Sequence, residues 1–592
     1  MSTFTGLSTM VRGILNNQTA LNTTGHNITN ASTEGYSRQS TNLVSTNAEI
    51  RSGIYGSIAV GTGVETQSIT RSRDIFADKQ FRDENSTQSY YETIARNYDS
   101  LEVIFNDAGE TGMATMIGQF YKDLVDLSTN ASDNDHRSIV VNSAKNLCDL
   151  IHTNTAEVQK QINAAYDDMA LYVNEMNETL EGIVNANKLI VAREALGANA
   201  NDLRDQRDLL VDQLSKYLNV NVSENSFGSY QITSGGVMLV NGIDRLHFEM
   251  SRGLSSASSD SDANVTVDYG VSDYNIVIKE SKQIFVPQNG ILKAEFDIVD
   301  ECKSYIDHMA NIANFMLTTF NDQHHAGYDA HGKTGGNFFG DENTTYEYAY
   351  DTQNKVAYIN ATEAGTTKKL SGVKIIEQFA VNSKLLGSGY DYVAAATKYR
   401  TKDSDGKAIE YTAYSDLNSD NELQWSDNDA YNTVDYMNGT VNIGDGTNAV
   451  YLSELFNMSF NTIASEKRAN AAVIRKYADN NTALIEQYGG EDSSKAYVFF
   501  NSLNKASIND YYSTAMTNLA VDANTMDNKI IQQEALMVQI QNWRDSTSGV
   551  DWNEELTNMI RYQKGFQSCA RCLTAMDECL DRLVNSTGMV GR

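Results

Sequence analysis

Eight residues match the pattern that cradles nucleotide phosphates in many enzymes. They run Gly327-Tyr328-Asp329-Ala330-His331-Gly332-Lys333-Thr334. Such a loop works when a buried strand leads in and a helix leads out, because backbone N–H groups and a helix N-terminus must converge on the phosphate. Here an amphipathic helical pattern leads in, and Gly335-Gly336-Asn337-Phe338 leads out. The flanks therefore indicate a turn between a helix and a strand-rich region, not a nucleotide site.

Histidines in the same stretch could ligate a transition metal. The group consists of His324, His325, Asp329 and His331. Neither an H-E-x-x-H helix nor a cysteine partner accompanies it, and glycine-rich turns often collect such side chains. We expect a solvated turn and no metal site.

A second group has the spacing of a calcium loop. Positions 1, 3, 5 and 12 of such a loop would be Asp416, Asn418, Asp420 and Asp427. The glycine usual at position 6 is replaced by Asn421, and the last ligand is Asp where Glu is usual. An acidic surface loop is the preferred interpretation, with calcium binding as the alternative.

Three of the five cysteines crowd near the C-terminus, at Cys569, Cys572 and Cys579. Zinc would need a fourth ligand, and a thioredoxin-like redox pair would need a βαβ setting. Their spacing of three and seven residues instead places them on a helix flank, where we expect burial as small apolar side chains. No Ser/His/Asp arrangement or positioned carboxylate pair accompanies them, so we expect no catalytic residue, no cofactor and no enzyme.

Composition limits the partner classes. The 592 residues contain 46 Lys and Arg against 77 Asp and Glu, a formal net charge of −31. This field repels phosphate backbones and anionic headgroups, so nucleic acid and membrane are poor partners. No apolar run is long enough to span a bilayer, and the first thirty residues lack a conventional secretory signal. Pro287 is the only proline, which permits long uninterrupted helices.

Both ends of the chain have heptad periodicity, which predicts helices that pack along one face. The N-terminal assembly residues are Leu7, Val11, Ile14, Leu21 and Ile28, and the C-terminal ones are Leu556, Ile560, Phe566, Leu573, Leu580 and Leu583. Two such helices can pair, which brings the termini together. Because polar residues interrupt both seams, each helix alone would be marginal.

Between the ends, the hydrophobic period alternates between helical and strand-like. The fold class we predict is α+β multidomain, with a coiled-coil core of paired terminal helices and inserted β-rich outer domains. The units are a terminal helix with a loop (1–45), a helical body (46–218, 296–325 and 463–545), β-rich domains (219–295 and 326–462) and a C-terminal helix (546–592).

One segment resembles the N-terminal signature of flagellar rod, hook and hook-associated proteins. It runs Asn27-Ile28-Thr29-Asn30-Ala31-Ser32-Thr33-Glu34-Gly35-Tyr36-Ser37-Arg38-Gln39. Glu34 stands where rod proteins have proline, although Gly35 can still supply a positive φ. Three further segments resemble the first of the two families of hook–filament junction proteins. They are Asp202 to Leu210, Phe320 to Asp329, and Ser548-Gly549-Val550-Asp551 with Glu554, Glu555 and Gln563.

The resemblance implies a structural protein of the bacterial flagellum, located between hook and filament. It implies an inner tube of terminal helices, export through the flagellar type III apparatus and a secreted, extracellular location. The implied partners are further copies of the chain in a ring or helical layer, the hook protein, the second junction protein (FlgL) and a cytosolic export chaperone (FlgN). Asn27, Gly35 and Tyr36 of the signature then belong to the assembly interface. A hook protein is the alternative, and a calcium-dependent adhesin is a more distant one.

The terminal helices also carry a dynamic prediction. Since each has an interrupted apolar stripe and no expected partner except the other, residues 1 to about 45 and 546 to 592 should be mobile in the free monomer. They should become ordered on assembly, as in coupled folding and binding.

Overall fold

A computed structural model describes most of the chain. The described residues are 3–53, 56–105, 112–197, 199–253, 266–325, 327–351, 356–396, 398–402, 408–412, 440–441, 444–457 and 506–586. Helices and small antiparallel sheets make up this part of the chain, so the predicted α+β class is confirmed. None of its helices is both long enough and apolar enough to cross a bilayer.

The two ends of the chain form long helices that pack against each other. Helix α1 covers Thr3–Asn30, and the last helix, α11, covers Trp552–Asp581. The Asp551 side chain caps α11 by accepting hydrogen bonds from the backbone N–H groups of Asn553 and Glu554, which satisfies donors that a helix N-terminus leaves unpaired. We call α1 and α11 the terminal pair.

A β-hairpin follows α1. Strand β1 (Gln39–Ser45) pairs antiparallel with β4 (Val64–Arg71), and β2 (Glu49–Gly53) pairs with β3 (Gly56–Val60). The prediction that a helical body begins at residue 46 is therefore wrong, because the first helix after α1 begins at Ile75. Alternation in this stretch is weak, since most of its side chains are exposed.

Four helices follow the hairpin. Together with two later helices, α6 (Ile291–Phe315) and α10 (Ile508–Ser548), we call them the helical body. The four are α2 (Ile75–Phe105), α3 (Met113–Thr129), α4 (Asn134–Glu194) and α5 (Asn201–Tyr217). The buried apolar residues of α2, α3 and α4 recur every three or four positions, as the helical period of this stretch predicts. Helix α4 runs 61 residues without a break, which the absence of proline allows.

The next unit contains small antiparallel sheets. Strands β5 (Asn221–Glu224), β6 (Tyr230–Ser234), β7 (Val237–Asn241) and β8 (Asp244–Arg245) form one sheet, and β9 (Phe248–Arg252) pairs with β10 (Tyr274–Ile278). Gly242 has a φ of 65° in the tight turn between β7 and β8, as the Asn-Gly pair predicts.

Helix α6 (Ile291–Phe315) returns to the body and continues through a π-helical turn (Met316–Phe320) into α7 (Asn321–His325). Five phenylalanines pack at this point with ring centroids 4.9–6.3 Å apart: Phe120, Phe320, Phe338, Phe339 and Phe456. This aromatic cluster holds the helical body to the segments that follow α7.

The remaining strands are β11 (Thr344–Asp351), β12 (Val356–Glu363), β13 (Thr366–Leu370), β14 (Lys398–Lys402), β15 (Ala408–Thr412) and β16 (Thr440–Val441). Helix α8 (Val373–Gln378) packs on α6, and α9 (Thr447–Glu454) packs on α3. Helix α10 (Ile508–Ser548) then runs along α2 toward the terminal pair. The predicted helix between residues 463 and 505 lies outside the described residues.

Candidate assembly interface

The terminal pair is antiparallel, and its closest contacts involve small residues. A methyl group added at Gly6 would lie 2.6 Å from Cε of Met576, and one at Gly13 would lie 2.9 Å from Sγ of Cys569. A methyl group at Gly565 would lie 2.5 Å from the side-chain oxygen of Asn17. A step of seven residues along α1, from Gly6 to Gly13, corresponds to a step of seven residues in the opposite direction along α11, from Met576 to Cys569. The missing side chains of the glycines let the two helices approach closely along this face.

The apolar seams predicted from sequence lie beside this line of closest approach. The buried side chains of α1 are Asn16, Ala20, Thr23, Thr24 and Asn27. The predicted seam residues are partly buried at Leu7, Ile14, Leu21, Ile28, Phe566, Leu573 and Leu580, and exposed at Val11, Leu556, Ile560 and Leu583. Much of the predicted apolar surface is therefore still accessible in the single chain.

Asn27 lies in the last turn of α1 and begins the segment 27–39, which we call the signature loop. Its side chain is 1% exposed. The amide nitrogen donates to the Gln39 carbonyl at 2.8 Å and to Glu555 Oε2 at 3.2 Å, while the amide oxygen accepts from the Gln39 N–H at 3.0 Å. Tyr36 adds a fourth hydrogen bond, from its hydroxyl to Asn27 Oδ1 at 2.8 Å. Asn27 thus joins α1, the loop and α11 by one buried side chain.

The turn that positions Tyr36 depends on Gly35. Its φ of +75° is in the left-handed region that glycine favours. A methyl group there would lie 3.3 Å from Cβ of Leu209 on α5. Burial, together with the negative charges of Asp202, Asp205 and Glu555, raises the pKa of Tyr36, so this hydroxyl keeps its proton and remains a donor to Asn27.

Arg38 connects the signature loop to α11. Its guanidinium donates from Nε to Glu555 Oε1 at 2.8 Å and from Nη2 to Glu554 Oε1 at 2.6 Å. Its backbone N–H donates to the Ser548 carbonyl at the end of α10, also at 2.8 Å. The Glu555 side chain is 3% exposed, and a carboxylate so buried requires charge-assisted partners. Arg38 therefore fixes the corner between α10 and α11.

The same loop is fastened to the helical body. The Ser37 N–H donates to Asp205 Oδ2 at 2.9 Å, and Gln39 Nε2 donates to Asp202 Oδ1 at 2.8 Å. Both aspartates belong to α5. The signature loop consequently contacts α1, α5 and α11, and it is the point at which the terminal pair meets the body.

Beneath the loop lies a buried cluster of four arginines and four aspartates: Arg71, Arg73, Arg82, Arg544, Asp78, Asp205, Asp208 and Asp212. We call it the arginine–aspartate cluster. The aspartates of α5 are three and four residues apart, which places them on one face of the helix. The arginines arrive from the end of β4, from α2 and from α10, so the cluster ties four elements together.

Asp208 is the most buried carboxylate of the cluster, with a side chain 1% exposed. Arg71 contacts its Oδ2 at 2.6 Å, and Tyr230 donates to its Oδ1 at 2.6 Å. Burial alone would raise the pKa of Asp208, but Arg73, Arg71 and Arg82 outweigh it and hold the pKa well below its usual range. The carboxylate is therefore charged at neutral pH.

Residues 98–339 match the family model described as the flagellar hook-associated protein FlgK helical domain. Residues 544–586 match the flagellar basal body rod FlgEFG protein C-terminal model. Flagellar hook-associated protein 1 of Bacillus subtilis is 26% identical over 620 residues, which cover 100% of both chains. The proteins of the same name from Salmonella typhimurium and Escherichia coli are 25% and 26% identical, with 96% of this chain and 97% of each relative covered.

The chain is similar over its whole length to flagellar hook-associated protein 1. The fold agrees, since the flagellar hook junction protein FlgK from Burkholderia pseudomallei is similar with a TM-score of 0.52 and 15% sequence identity. That match covers 79% of this chain and 100% of the other. These similarities favour a role at the hook–filament junction over the hook-protein and adhesin alternatives.

Each segment through which the sequence resembles the hook-associated protein 1 family has a structural place here. Asp202 to Leu210 forms the aspartate face of α5, and Glu554 with Glu555 receives Arg38. Sequence reasoning missed Arg71, Arg73 and Arg544 as partners of that face. The spacing of the aspartates on one face of α5 predicts that cations pack against it. Nothing in the sequence indicates that these cations come from α10 and from the end of β4.

The segment 327–334 matches a phosphate loop in sequence but lacks the preceding strand and the following helix that such a loop requires. Helix α7 leads in, and the match closes on itself because Tyr328 and Thr334 form an antiparallel bridge. The Asp329 carboxylate accepts from the N–H groups of His331 and Lys333. An acidic side chain thus occupies the N–H donors that a phosphate would use, and the preferred interpretation as a turn agrees with this geometry.

Two of the three histidines of the same segment, His324 and His325, form hydrogen bonds within the protein, whereas His331 is exposed. His324 uses both ring nitrogens, one with the Gly336 carbonyl at 2.7 Å and the other accepting from the Ala394 N–H at 2.9 Å. His325 pairs with Asn337 at 2.8 Å. The expectation of a solvated turn is wrong for His324, which is fully buried. Within the described residues no group of side chains could hold a metal ion, and the calcium-loop residues 416–427 lie outside them.

Two further expectations are wrong. Cys572 and Cys579 are exposed and Cys569 is only partly buried, although Cys569 lies against Gly13 of α1. Nor is α11 the only partner of α1: Asn16 donates to the Val64 carbonyl and accepts from the Thr66 N–H at 3.0 Å. The β1–β4 hairpin therefore supports the C-terminal half of α1.

Proposed function

We propose that this chain is a structural protein of the bacterial flagellum that forms the junction between hook and filament and catalyses no reaction. It acts by self-assembly of its terminal helices into a ring or helical layer. The supporting observation is the signature loop, which joins α1 and α11 to the helical body through Asn27 and Arg38, in a chain that matches hook-associated protein 1 over its whole length.

The proposal includes a role for each part of the chain. The terminal pair supplies the inner, tube-forming layer as a coiled coil, with residues 1–45 and 546–592 as its units. The helical body surrounds it, and the β-rich segments 219–295 and 326–462 are outer domains inserted in that body. Leu7, Val11, Ile14, Leu556 and Ile560 are partly or fully accessible in the single chain, so they are available for neighbouring copies.

The proposal extends to export and partners. The chain is secreted through the flagellar type III apparatus, accompanied in the cytosol by a chaperone of the FlgN kind. It then lies between the hook protein and the second junction protein, FlgL. The near absence of proline supports this route, since refolding after export is not delayed by proline isomerisation.

Electron microscopy of a deletion strain tests the function. Cells without the chain should carry hooks that lack filaments, and the wild-type gene should restore filaments. Arg38→Glu should fail to restore them, because it places a third carboxylate against Glu554 and Glu555. Arg252→Glu, a charge reversal on an exposed residue of β9, is the matched control. Filaments of normal length on hooks of the deletion strain would disprove the proposal.

A further inference from the structure

Helix α10 has two heptad seams on opposite faces. One seam, which includes Leu519, Ala523, Gln533 and Ile540, is buried against the body. Positions two residues earlier lie about 200° around the helix, and they include Val521, Ile531, Ala535 and Val538. We call these four residues the α10 stripe. All are exposed, with Val521, Ile531 and Val538 between 56% and 65% accessible, so the second seam has no partner within the part of the chain that the structure describes.

The α10 stripe is bordered by acidic residues. Asp527 and Glu534 are exposed and one heptad apart along its edge. The two cations of α10 are turned away from it: Lys529 lies over the Tyr91 ring at 5.1 Å, and Arg544 is bound in the arginine–aspartate cluster. The stripe is consequently apolar from Ile531 to Val538 and negative at its border, and Asn524 and Asn528 separate this part from Val521.

Helix α11 presents the complementary arrangement on its outer face. Trp552, Leu556 and Ile560 are four residues apart and 45–59% exposed; we call them the α11 stripe. Lys564 and Arg571 continue this face, exposed and again one heptad apart. Neither forms an ion pair with any residue that the structure describes, and Glu554 and Glu555 are occupied by Arg38. In a chain with a net charge of −31, this is an uncompensated basic border.

We propose that the α11 stripe of one copy docks on the α10 stripe of a second copy of this chain. The apolar side chains of the two stripes then pack together, and with the two helices parallel Lys564 faces Glu534 when Ile560 lies beside Ile531. Each copy carries both stripes, so the contact is heterologous and extends from copy to copy. This inference rests on the proposed self-assembly, and it adds a contact between the terminal pair and a neighbour's helical body.

The geometry of the contact is tested by cross-linking in assembled junctions. The background is the full chain with Cys569, Cys572 and Cys579 changed to serine, first checked for filament growth in the deletion strain. Ile531→Cys and Ile560→Cys are placed in separate copies of different tag length, co-expressed, and treated with a short bismaleimide on isolated hooks. We expect the mixed dimer and neither homodimer. Leu171→Cys, at an exposed position of α4, replaces Ile531→Cys as the control and should give no dimer.

Charge exchange tests the complementarity. Glu534→Lys and Lys564→Glu should each reduce the fraction of hooks that carry filaments by about two- to fivefold, as expected for exposed charge pairs. Combined in one chain, they should restore it, because each copy then meets an exchanged neighbour. Glu178→Lys, an exposed reversal on α4, should have no effect.

The outcomes separate the two proposals. Junctions that assemble without the mixed dimer and tolerate Glu534→Lys overturn the docking contact and leave the proposed function intact. A cross-link from the Ile531→Cys variant to a chain of another mass means that a different protein covers the stripe, which also overturns it. Filaments on hooks of the deletion strain instead contradict the proposed function.

Discussion

The arginine–aspartate cluster makes Asp208→Asn the most informative substitution in the body. Asp208 lies 2.6 Å from Arg71, 3.6 Å from Arg73 and 3.5 Å from Arg82. With four cations and four anions the cluster is neutral, and the asparagine leaves one buried positive charge without compensation. Removing one member of a buried ion pair costs about 3–5 kcal/mol. Because other aspartates remain nearby, we expect the lower end, about 3 kcal/mol of unfolding free energy.

Tryptophan fluorescence can report this loss locally. Trp543 is adjacent to Arg544, which joins the cluster, so a variant with Trp425 and Trp552 changed to phenylalanine follows unfolding at this point. Urea titration should show an earlier midpoint for Asp208→Asn. Asp126→Asn, at an exposed site on α3, should leave the unfolding free energy within about 0.5 kcal/mol of the parent. Arg71→Met added to Asp208→Asn should restore part of the loss, since the two residues are in contact. A change below about 1 kcal/mol, or equal changes in the two asparagine variants, would refute the reasoning.

Four further predictions concern other sites. Arg38→Ala should speed cleavage after Glu34 by a Glu-specific protease about tenfold, because Glu555 loses its charged partner and the loop opens; Arg561→Ala should not. Leu573→Asp should leave the helical body folded but abolish filaments. Hydrogen exchange of the wild-type monomer should show weak protection of both terminal helices, and strong protection would contradict the prediction that these helices are mobile before assembly. Burial raises the pKa of Glu295 to about 7 from 4.5, so the folded state holds this proton more tightly and stability falls as pH rises through that interval. Glu295→Gln should therefore be about 3 kcal/mol more stable than the parent at pH 8 and equal to it at pH 4, by urea titration. Lys333→Ala should assemble normally, and calorimetry of the wild type should detect no ATP binding; micromolar affinity would reverse that conclusion.

Periodicity was the most dependable part of the sequence. The stripes of α2, α3 and α4 were readable because a helix that packs on one side repeats its apolar residues every three or four positions. The same rule located both terminal helices. It failed for residues 46–71, where a largely exposed hairpin has no buried face to impose alternation, and it placed the seam of the terminal pair one residue away from the line of closest approach. Glycines at Gly6, Gly13 and Gly565 decide that line, and a hydrophobicity pattern gives them no weight.

The segments that match binding-site motifs show where a sequence pattern misleads. The spacing of Gly327 to Thr334 matched a phosphate loop, yet Asp329 occupies the N–H groups that phosphate would need. A local pattern specifies residue types, whereas donors and acceptors are assigned by the neighbours that folding supplies. The same applies to His324, whose two ring nitrogens are taken by Gly336 and Ala394.

The sequence by itself therefore determined the class of the protein, its long helices and the resemblance of its ends to flagellar axial proteins. These properties depend on composition, on period and on short segments that are continuous in the chain. Only the tertiary structure decided how the ends are held. Arg38 meets Glu555 across 517 residues, and Arg544 meets Asp212 across 332. No local pattern encodes such pairings, because they follow from the packing of helices whose relative positions the whole fold sets.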